Sequence, residues 1–451
     1  MSNANHPFLS KRTRMKTTGS LLLLLLLTAT GLVSHAQNPI IQTNYTADPA
    51  PLVYRDTVFL YTGHDEDDAT GFKMFNWLLY TSTDMVNWTD HGPVAATKSF
   101  SWAPQNGAWA SQCIERNGKF YLYCTIHVKG IGVLVADSPY GPFTDPLGKP
   151  LIQNSSDDID PSVYIDDDGQ AYLYWGNPNL YYVKLNKDMI SYSGPIIKSS
   201  TKPANYQEGP WFYKRNDKYY VAYASTCCPE GIGYSMSDSP TGPWQYTGTL
   251  MERNPRSNGN HPGIIEYKGN SYLFGFNYAL SKALSATHTE RRSVCLAKLT
   301  YNSDGTIQQL PFWSEAGVDR VAVLDPYKRT EAETIAWSQG LKTSKGPNGM
   351  YVTAIDNGDY FKVQGVDFDK GAKKFMAAVA STALQPVLEL HLDSPTGTLL
   401  GSLKATPTGG LENWVVQSCP VRRQKGIHDV YFVFRGTSSN AFRFDWWQFS
   451  R

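Results

Sequence analysis

The sequence lacks an excess of charge of either sign. Its 41 Lys and Arg residues nearly balance its 40 Asp and Glu residues, which gives a formal net charge of +1 over 451 residues. Nucleic-acid-binding proteins and membrane-surface proteins usually carry a clustered basic excess, so this balance argues against both classes. Helical periodicity is also nearly absent, and this indicates an all-β fold.

A long hydrophobic run is missing as well. The apolar stretch at residues 21–27 is too short to cross a bilayer. Positive charge precedes it at residues 11–16, and the small residues Ser34 and Ala36 follow it, an order typical of a secretory signal peptide. We therefore predict a signal peptide over residues 1–36, no membrane span, and export to the periplasm or the extracellular space.

Cysteine is scarce, and its spacing fits neither a metal-binding motif nor an extensive disulfide framework. A two-residue turn at Asn117-Gly118 would place Cys113 opposite Leu122 and leave Cys124 out of register for a bridge. We expect free or buried thiols rather than a catalytic or zinc-binding role. The six residues are Cys113, Cys124, Cys227, Cys228, Cys295 and Cys419.

Aromatic residues, by contrast, are abundant, with 28 Tyr and 12 Trp. Many of them belong to a strand that recurs five times at a spacing of roughly fifty residues, a period typical of propeller blades. We predict a five-bladed β-propeller over residues 37–325. The recurring strands are Phe59-Leu60-Tyr61, Tyr121-Leu122-Tyr123, Tyr172-Leu173-Tyr174, Tyr220-Val221-Ala222-Tyr223 and Tyr272-Leu273-Phe274.

Residues whose side chains can take part in catalysis or binding stand at one position of this repeat, just ahead of each recurring strand. Equivalent positions of propeller blades converge on the axis, and acids are poor strand formers, so three acids in register indicate a function. Paired carboxylates can hydrolyse a glycosidic bond, and a third carboxylate raises the pKa of its neighbour. The alternative is that they cap turns or bind structural ions, because Asp-Pro often opens a turn. The five residues are Asp48, Trp109, Asp160, Glu208 and His261.

The phrases around these acids resemble glycoside hydrolase family 43 from about residue 38 to residue 324. The resemblance implies a five-bladed propeller that hydrolyses glycosides with inversion. Asp48 would be the general base, Glu208 the general acid, and Asp160 the residue that tunes and orients the acid. The matching phrases are Ala47-Asp48-Pro49, Asp158-Ile159-Asp160-Pro161 and Gln207-Glu208-Gly209.

Other residues are assigned less directly. The family resemblance gives His261 a part in a calcium-centred site on the propeller axis, although calcium prefers oxygen ligands and a core histidine is the alternative. Trp109 and Trp102 are candidates for a sugar-stacking surface, and ordinary core packing is the alternative for both. We interpret the acidic run at residues 65–68 as a solvated loop, with contact to substrate or to a cation as the alternative.

The pattern changes after residue 325, where alternating strands predict a β-sandwich over residues 326–451. Its motifs resemble carbohydrate-binding module family 6, which implies a jelly-roll sandwich with a structural calcium held by Glu331, Glu333 and Asp445. Trp414 matches one of the two aromatics that usually enclose a sugar, whereas Ala354 stands at the other position. The domain therefore either binds sugar with help from another aromatic such as Tyr351 or supports the enzyme structurally.

Taken together, the sequence predicts an exported, inverting glycosidase that removes α-L-arabinofuranosyl branches from a plant polysaccharide such as arabinoxylan. A β-xylosidase is the near alternative, because the family hosts both activities. A non-catalytic carbohydrate-binding protein and a protein-interaction scaffold are the alternatives from other classes. The oligomeric state stays open.

Overall fold

Strands make up nearly all of the regular structure in the computed structural model of this protein. The structure describes residues 38–255 and 260–451, and the predicted signal peptide lies outside them. The described part holds 30 strands, a 3-10 helix at Thr97–Ser99 and an α-helix, α1, at Ala279–Leu284. None of its helices has the length and apolarity needed to span a bilayer. The predicted all-β class is confirmed.

Five antiparallel sheets follow one another along the first part of the chain. The first sheet contains β1 (Tyr45–Tyr54), β2 (Thr57–Asp65), β3 (Asn76–Ser82) and β4 (Trp88–Ala96), and the second contains β5 (Ala108–Arg116), β6 (Lys119–Ile126) and β7 (Gly130–Ala136). The third contains β8 (Ser162–Ile165), β9 (Ala171–Trp175), β10 (Tyr181–Leu185) and β11 (Tyr192–Lys198). The fourth contains β12 (Tyr206–Arg215), β13 (Lys218–Ser225), β14 (Gly231–Ser237) and β15 (Gln245–Met251), and the fifth contains β16 (Gly263–Tyr267), β17 (Asn270–Asn277) and β18 (Ser293–Leu299).

Two-residue turns join the first and second strands of several sheets. At Asn117-Gly118 both residues have positive φ, 53° and 78°, as the hairpin turn that matches strand twist requires. The turn pairs Arg116 with Lys119 and Cys113 with Leu122, which confirms the predicted register and explains why Cys124 forms no bridge with Cys113.

The sheets close into a ring around an axis. The first strand of each sheet contacts the first strand of the next, and β16 contacts β1. The N-terminal segment seals this last junction, because the amide of Ile40 donates to Val294 at 2.9 Å and that of Thr46 donates to Arg292 at 2.9 Å. The first part is therefore a β-propeller whose innermost strands line the axis.

Tyrosine hydroxyls link neighbouring sheets through a repeated phrase. Tyr61 of the first sheet donates to the carbonyl of Pro139 at 2.6 Å, and Tyr174 of the third donates to that of Pro240 at 2.7 Å. Both prolines belong to Asp-Ser-Pro-x-Gly-Pro turns that follow the third strand of the next sheet. Some of the many tyrosines thus tie one sheet to the next while their rings fill the core.

The remaining strands form a second unit of structure. They are β19 (Thr330–Glu331), β20 (Thr334–Ile335), β21 (Trp337–Gln339), β22 (Lys342–Gly346), β23 (Gly349–Thr353), β24 (Tyr360–Asp367), β25 (Lys374–Ser381), β26 (Val387–Leu392), β27 (Thr398–Lys404), β28 (Val415–Pro420), β29 (Ile427–Arg435) and β30 (Phe442–Ser450). One sheet has the order β22-β23-β30-β25-β28, with β19 beside β30, and the other has the order β21-β24-β29-β26-β27.

Aromatic side chains fill the space between these two sheets. Phe432 of one sheet lies 6.0 Å from Phe444 and 5.2 Å from Trp447 of the other, measured between ring centroids. All three are buried, with at most 1% of their surface exposed. This part is therefore a β-sandwich, as the sequence predicts.

The sandwich is joined to the propeller by backbone pairing as well as side chains. Strand β20 pairs with β4 and so extends the first propeller sheet. Nearby, the side-chain amide nitrogen of Asn87 donates to the backbone carbonyl of Gln364 at 2.9 Å. The side-chain amide oxygen of Asn87 accepts from the backbone N–H of Gln364 at 2.8 Å. Asn87 is 3% exposed, so this pair is shielded from water.

Loss of the Asn87 amide should weaken the whole protein. We expect Asn87→Ala to lower the free energy of unfolding by about 1–3 kcal/mol, because the buried N–H and C=O of Gln364 lose their partners. Calorimetry or denaturant unfolding measures this change. The exposed Asn302 provides the matched control, since Asn302→Ala should stay within about 0.5 kcal/mol. Equal stability of the two variants would contradict the role of Asn87 in joining the sandwich to the propeller.

Candidate active site

Three acids and a histidine meet at the propeller axis. His261 Nδ1 lies 3.2 Å from Asp48 Oδ1, and its Nε2 lies 3.7 Å from Asp160 Oδ2 and 3.8 Å from Glu208 Oε1. These residues come from four different sheets or the segments that precede them. The convergence expected from the repeat register is thus present in the structure.

Irregular backbone at the start of the innermost strands aims these side chains at the axis. Asp48 and Asp160 have positive φ, 49° and 60°, and the register of β1 shifts at Asp48 between Ala47 and Ala50. A non-glycine residue with positive φ is uncommon and marks a specific local requirement. At Gly209, φ is 58° and a Cβ would lie 2.6 Å from the His261 ring, so only glycine leaves room for that ring.

His261 compensates the carboxylates around it. Burial alone would lower its pKa, but Asp160, Asp48 and Glu208 together raise it to about 10. The ring is therefore protonated near neutral pH and forms ion pairs with the three acids. Burial raises the pKa of Asp160 to about 7, against the opposing charge of His261.

Arg292 supplies the second buried cation, and sequence reasoning missed it. Its Nη1 lies 2.9 Å from Asp48 Oδ1, while its Nε and Nη2 bind the two oxygens of Asp65 at 3.0 Å and 2.8 Å. Asp65 is fully buried, so the interpretation of residues 65–68 as a solvated run is wrong for Asp65, although Asp68 is exposed. A planar guanidinium suits this task because it can hold two carboxylates in a fixed geometry.

Glu230 is a fourth acid at the site, also absent from the sequence prediction. It is 1% exposed, lines the same cavity as Glu208 and has one oxygen without a hydrogen-bond partner. Burial, reinforced by the charge of Glu208, raises the pKa of Glu230 to about 9. Its position before β14, away from the innermost strands, explains why the repeat gave no signal for it.

Glu208 itself behaves differently from its neighbours. Burial alone would raise its pKa, but hydrogen bonding and charge from His261, with further hydrogen bonds from Glu230 and Asn177, lower it. The amide of Asn177 donates to Glu208 Oε2 at 2.5 Å. The carboxyls that hold protons near neutral pH are thus Asp160 and Glu230. Repulsion between like charges, taken alone, would instead raise the pKa of Glu208 and place a proton there.

A cavity of about 270 Å³ opens above these groups. Trp109 lines it, with its ring stacked on His127 at 3.7 Å and tilted against Phe72 at 5.4 Å. Trp102 is not among the lining residues; its indole N–H donates to Asp145 at 3.1 Å. Of the two tryptophans proposed for the propeller's sugar-stacking surface, the structure brings only Trp109 to the acids.

The cysteines lining this cavity depart from the sequence prediction. Cys227 and Cys228 form a disulfide, and both are exposed at the cavity. The other four cysteines are buried and lie outside this disulfide.

Trp414 lies in the sandwich, away from these groups. Its ring meets Tyr351 edge to face at 5.5 Å. Tyr351 therefore does turn toward Trp414, but the two rings touch each other and leave no slot between them for a sugar.

The acids proposed to bind calcium line a separate cavity between the propeller and the sandwich. Glu331, Glu333 and Asp445 all contribute to it. Arg329 binds Glu331 at 2.8 Å and lies 4.0 Å from Asp445, while a buried oxygen of Glu333 has no hydrogen-bond partner. Carboxylate oxygens suit calcium, but these three acids are not among the described groups whose ligand atoms lie within 4.8 Å of one another, so the calcium site stays a prediction.

The axial cluster fits calcium less well. Donor atoms of Asp160, Glu208 and His261 lie within 4.8 Å of one another, but the raised pKa of His261 favours an imidazolium, which donates hydrogen bonds and does not coordinate metal. The role of His261 as a metal ligand stays a prediction.

Comparison with known families assigns the architecture. Residues 36–307 match glycosyl hydrolases family 43, and residues 331–451 match carbohydrate binding module family 6. The chain belongs to glycosyl hydrolase family 43. The resemblance seen in the sequence is thereby confirmed for both parts of this family 43 enzyme.

Relatives of this family 43 enzyme differ in how much of its length they cover. An arabinoxylan arabinofuranohydrolase of Bacillus subtilis (strain 168) is 36% identical, with 94% of each chain covered. A crystal structure of a family 43 arabinoxylan arabinofuranohydrolase from Bacillus subtilis in complex with cellotetraose has a TM-score of 0.82 at 34% identity, covering 92% of this chain and 97% of that one. A xylosidase/arabinosidase of Bacteroides ovatus is 29% identical over 58% of this chain and 94% of its own length.

The raised pKa of Glu230 makes stability depend on pH. The folded state binds a proton there up to about pH 9, whereas the unfolded chain releases it near pH 4.5. The stabilisation from this proton is complete below pH 4.5 and is lost as pH rises through 9. We expect Glu230→Gln to remove this loss, which amounts to at most about 1.4 kcal/mol per pH unit.

Denaturant unfolding of wild type and Glu230→Gln between pH 5 and 9 measures the difference. The exposed Glu252 offers a matched control, because Glu252→Gln should follow the wild-type slope. A wild-type slope in Glu230→Gln would mean that Glu230 is ionised in the folded protein.

Proposed function

We propose that this family 43 enzyme removes α-L-arabinofuranosyl branches from arabinoxylan-like plant polysaccharides with inversion of configuration. The observation that carries the proposal is the convergence of Asp48, Asp160 and Glu208 on His261 beneath a cavity. The full-length similarity to arabinoxylan arabinofuranohydrolases supports the substrate assignment.

The geometry supports distinct roles for two acids. Asp48 and Glu208 contact opposite nitrogens of His261, so the imidazole ring stands between them. An inverting enzyme holds its two carboxyl groups about 6.5–9.5 Å apart so that water fits beside the base, and we expect this separation between Asp48 and Glu208. Asp48 activates this water for attack on the anomeric carbon, and Glu208 protonates the departing oxygen.

The remaining groups hold and supply protons. Glu208 must carry a proton to act as the acid, and the adjacent carboxyls Asp160 and Glu230 hold protons near neutral pH. Closely coupled carboxyls exchange protons as one set, so Glu208 receives its proton from Asp160 or Glu230. Arg292 fixes Asp48 in place, since it binds Asp48 and the buried Asp65 together.

A β-xylosidase is the second candidate, because the same acids serve either sugar and a xylosidase/arabinosidase is among the relatives. That relative covers 58% of this chain, whereas the arabinofuranohydrolase of Bacillus subtilis covers 94%. The longer similarity favours the arabinofuranosidase.

Paired aryl glycosides test this assignment. We expect the wild type to hydrolyse aryl α-L-arabinofuranoside much faster than aryl β-D-xylopyranoside. Asp48→Asn should lower kcat at least about 10³-fold, because the variant cannot take a proton from water. Asn also tolerates the positive φ of this position, so the fold should persist.

The turn residue Asp56 supplies the matched control, since it is exposed on the same sheet and Asp56→Asn should retain full activity. Preference for the xyloside would reassign the enzyme to β-xylosidase. Sugar binding without turnover of either glycoside or of arabinoxylan would indicate a non-catalytic carbohydrate-binding protein, and full activity of Asp48→Asn would remove Asp48 from the mechanism.

Glu331, Glu333 and Asp445 would hold a calcium ion whose role is structural, because it would neutralise acids where the sandwich meets the propeller. Chelation should lower the melting temperature of the wild type, and added calcium should restore it, since an ion that binds only the folded state stabilises that state. Glu333→Gln should abolish both responses. An unchanged melting temperature on chelation and on calcium addition would contradict the site.

Export completes the proposal. Residues 11–36 have the order of charge, apolar run and small residues that typifies a secretory signal, and a polysaccharide substrate lies outside the cell.

Carbohydrate recognition by the sandwich would proceed elsewhere than between Trp414 and Tyr351, because these rings contact each other.

A further inference from the structure

The disulfide between Cys227 and Cys228 has no part in the acid-base chemistry, yet it lies in the same cavity. Both residues are exposed and line the space that also contains Glu208 and Glu230. The four other cysteines are buried and lie outside this disulfide. Within the part of the chain that the structure describes, which contains all six cysteines, there is one disulfide, and it faces the substrate cavity.

The loop that carries the disulfide is fixed on both sides. It runs from the end of β13 to the start of β14. Before the disulfide, the N–H of Thr226 donates to the carbonyl of Asn205 at 2.8 Å. After it, Arg253 Nε donates to the carbonyl of Pro229 at 3.0 Å, and the side chain of Glu230 is buried. The sulfur atoms are thus held in place beside the acids.

Bond formation changes what these residues present to a ligand. Two thiols would offer weak S–H donors, whereas the disulfide offers a compact, polarisable and apolar surface. Exposed apolar atoms in a cavity rich in charge favour contact with the C–H groups of a sugar, because this contact removes apolar surface from water. Among the other apolar residues of the cavity, Phe72 comes from the first sheet and Trp109 from the second, while the disulfide belongs to the fourth.

We propose that the Cys227–Cys228 disulfide is a substrate-contacting surface that packs against the apolar part of the sugar ring and strengthens its binding beside Glu208. This inference rests on the proposed function for the identity of the sugar, an arabinofuranosyl unit. The contact exists in both the bound substrate and the transition state, so its loss should raise KM and leave kcat nearly unchanged.

Reduction of the wild type tests the contact without any mutation. A water-soluble phosphine donates two electrons to the disulfide, takes its oxygen from water and becomes the phosphine oxide, while two protons complete the thiols of Cys227 and Cys228. We expect KM for an aryl α-L-arabinofuranoside to rise about three- to tenfold, with kcat within about twofold. An unchanged KM after verified reduction would overturn the proposal.

A double variant, Cys227→Ala with Cys228→Ala, separates this effect from other actions of the reductant. Its KM should be raised to a similar degree, and the phosphine should change it no further. The melting temperature shows whether the variant is folded. A KM in the folded variant that still responds to the phosphine would place the reductant's effect elsewhere and contradict the proposal.

Protection from reduction distinguishes a contact surface from a purely structural bond. Saturating L-arabinose should slow the phosphine reduction of the wild type at least about threefold, measured by thiol alkylation and mass spectrometry, because the sugar covers the sulfur atoms. An equal rate with and without L-arabinose would overturn the contact. This readout needs no turnover, so failure to hydrolyse the arabinoside would count against the proposed function and leave the contact to be judged by protection.

Discussion

Compensation of buried negative charge at the propeller axis is the constraint on which the rest of the structure depends. Asp48, Asp65, Asp160 and Glu230 are each at most 5% exposed, and an unpaired carboxylate in such surroundings would be strongly destabilising. His261 and Arg292 supply the compensating positive charge, and raised pKa values at Asp160 and Glu230 remove negative charge. The same balance leaves the acids poised to exchange protons.

Much of the local backbone serves this charge cluster. The positive φ of Asp48 and Asp160 aims their carboxylates inward, and Gly209 makes room for the His261 ring. Arg292 lies at the seam where the N-terminal segment closes the propeller, since its carbonyl accepts from Thr46 while its guanidinium binds Asp48. Closure of the ring and placement of the proposed base therefore depend on the same residue.

The β-sandwich is continuous with the propeller in structural terms. Strand β20 extends the first sheet, and Lys342 reaches Asp67 at 2.8 Å, in the loop that leads to Phe72 at the cavity. The proposed calcium ligands lie beside this junction. With Trp414 packed against Tyr351, support of the catalytic part is the role that these contacts favour for the sandwich.

The sequence predicts those features that repeat from blade to blade. Because every sheet places its first strand at the axis, the shared register alone identified Asp48, Trp109, Asp160, Glu208 and His261. Turn chemistry predicted the pairing of Cys113 with Leu122, since hairpin register is a local property.

Residues outside that register were missed for a physical reason. Arg292 and Glu230 lie just before later strands, where the repeat marks no position, and the burial of Asp65 depends on pairing with Arg292, which is 227 residues away. The disulfide of Cys227 and Cys228 also escaped prediction, because spacing rules address separated cysteines. Such features depend on tertiary contacts that no local pattern records.

The stereochemistry of the first product tests the central claim most directly. Proton NMR during early hydrolysis of an α-L-arabinofuranoside follows the anomeric signal of the released sugar before it equilibrates in water. The arrangement of Asp48 and Glu208 on opposite sides of His261 predicts that β-L-arabinofuranose appears first, because water attacks the face opposite the leaving group. Initial release of the α-anomer would contradict this arrangement of base and acid.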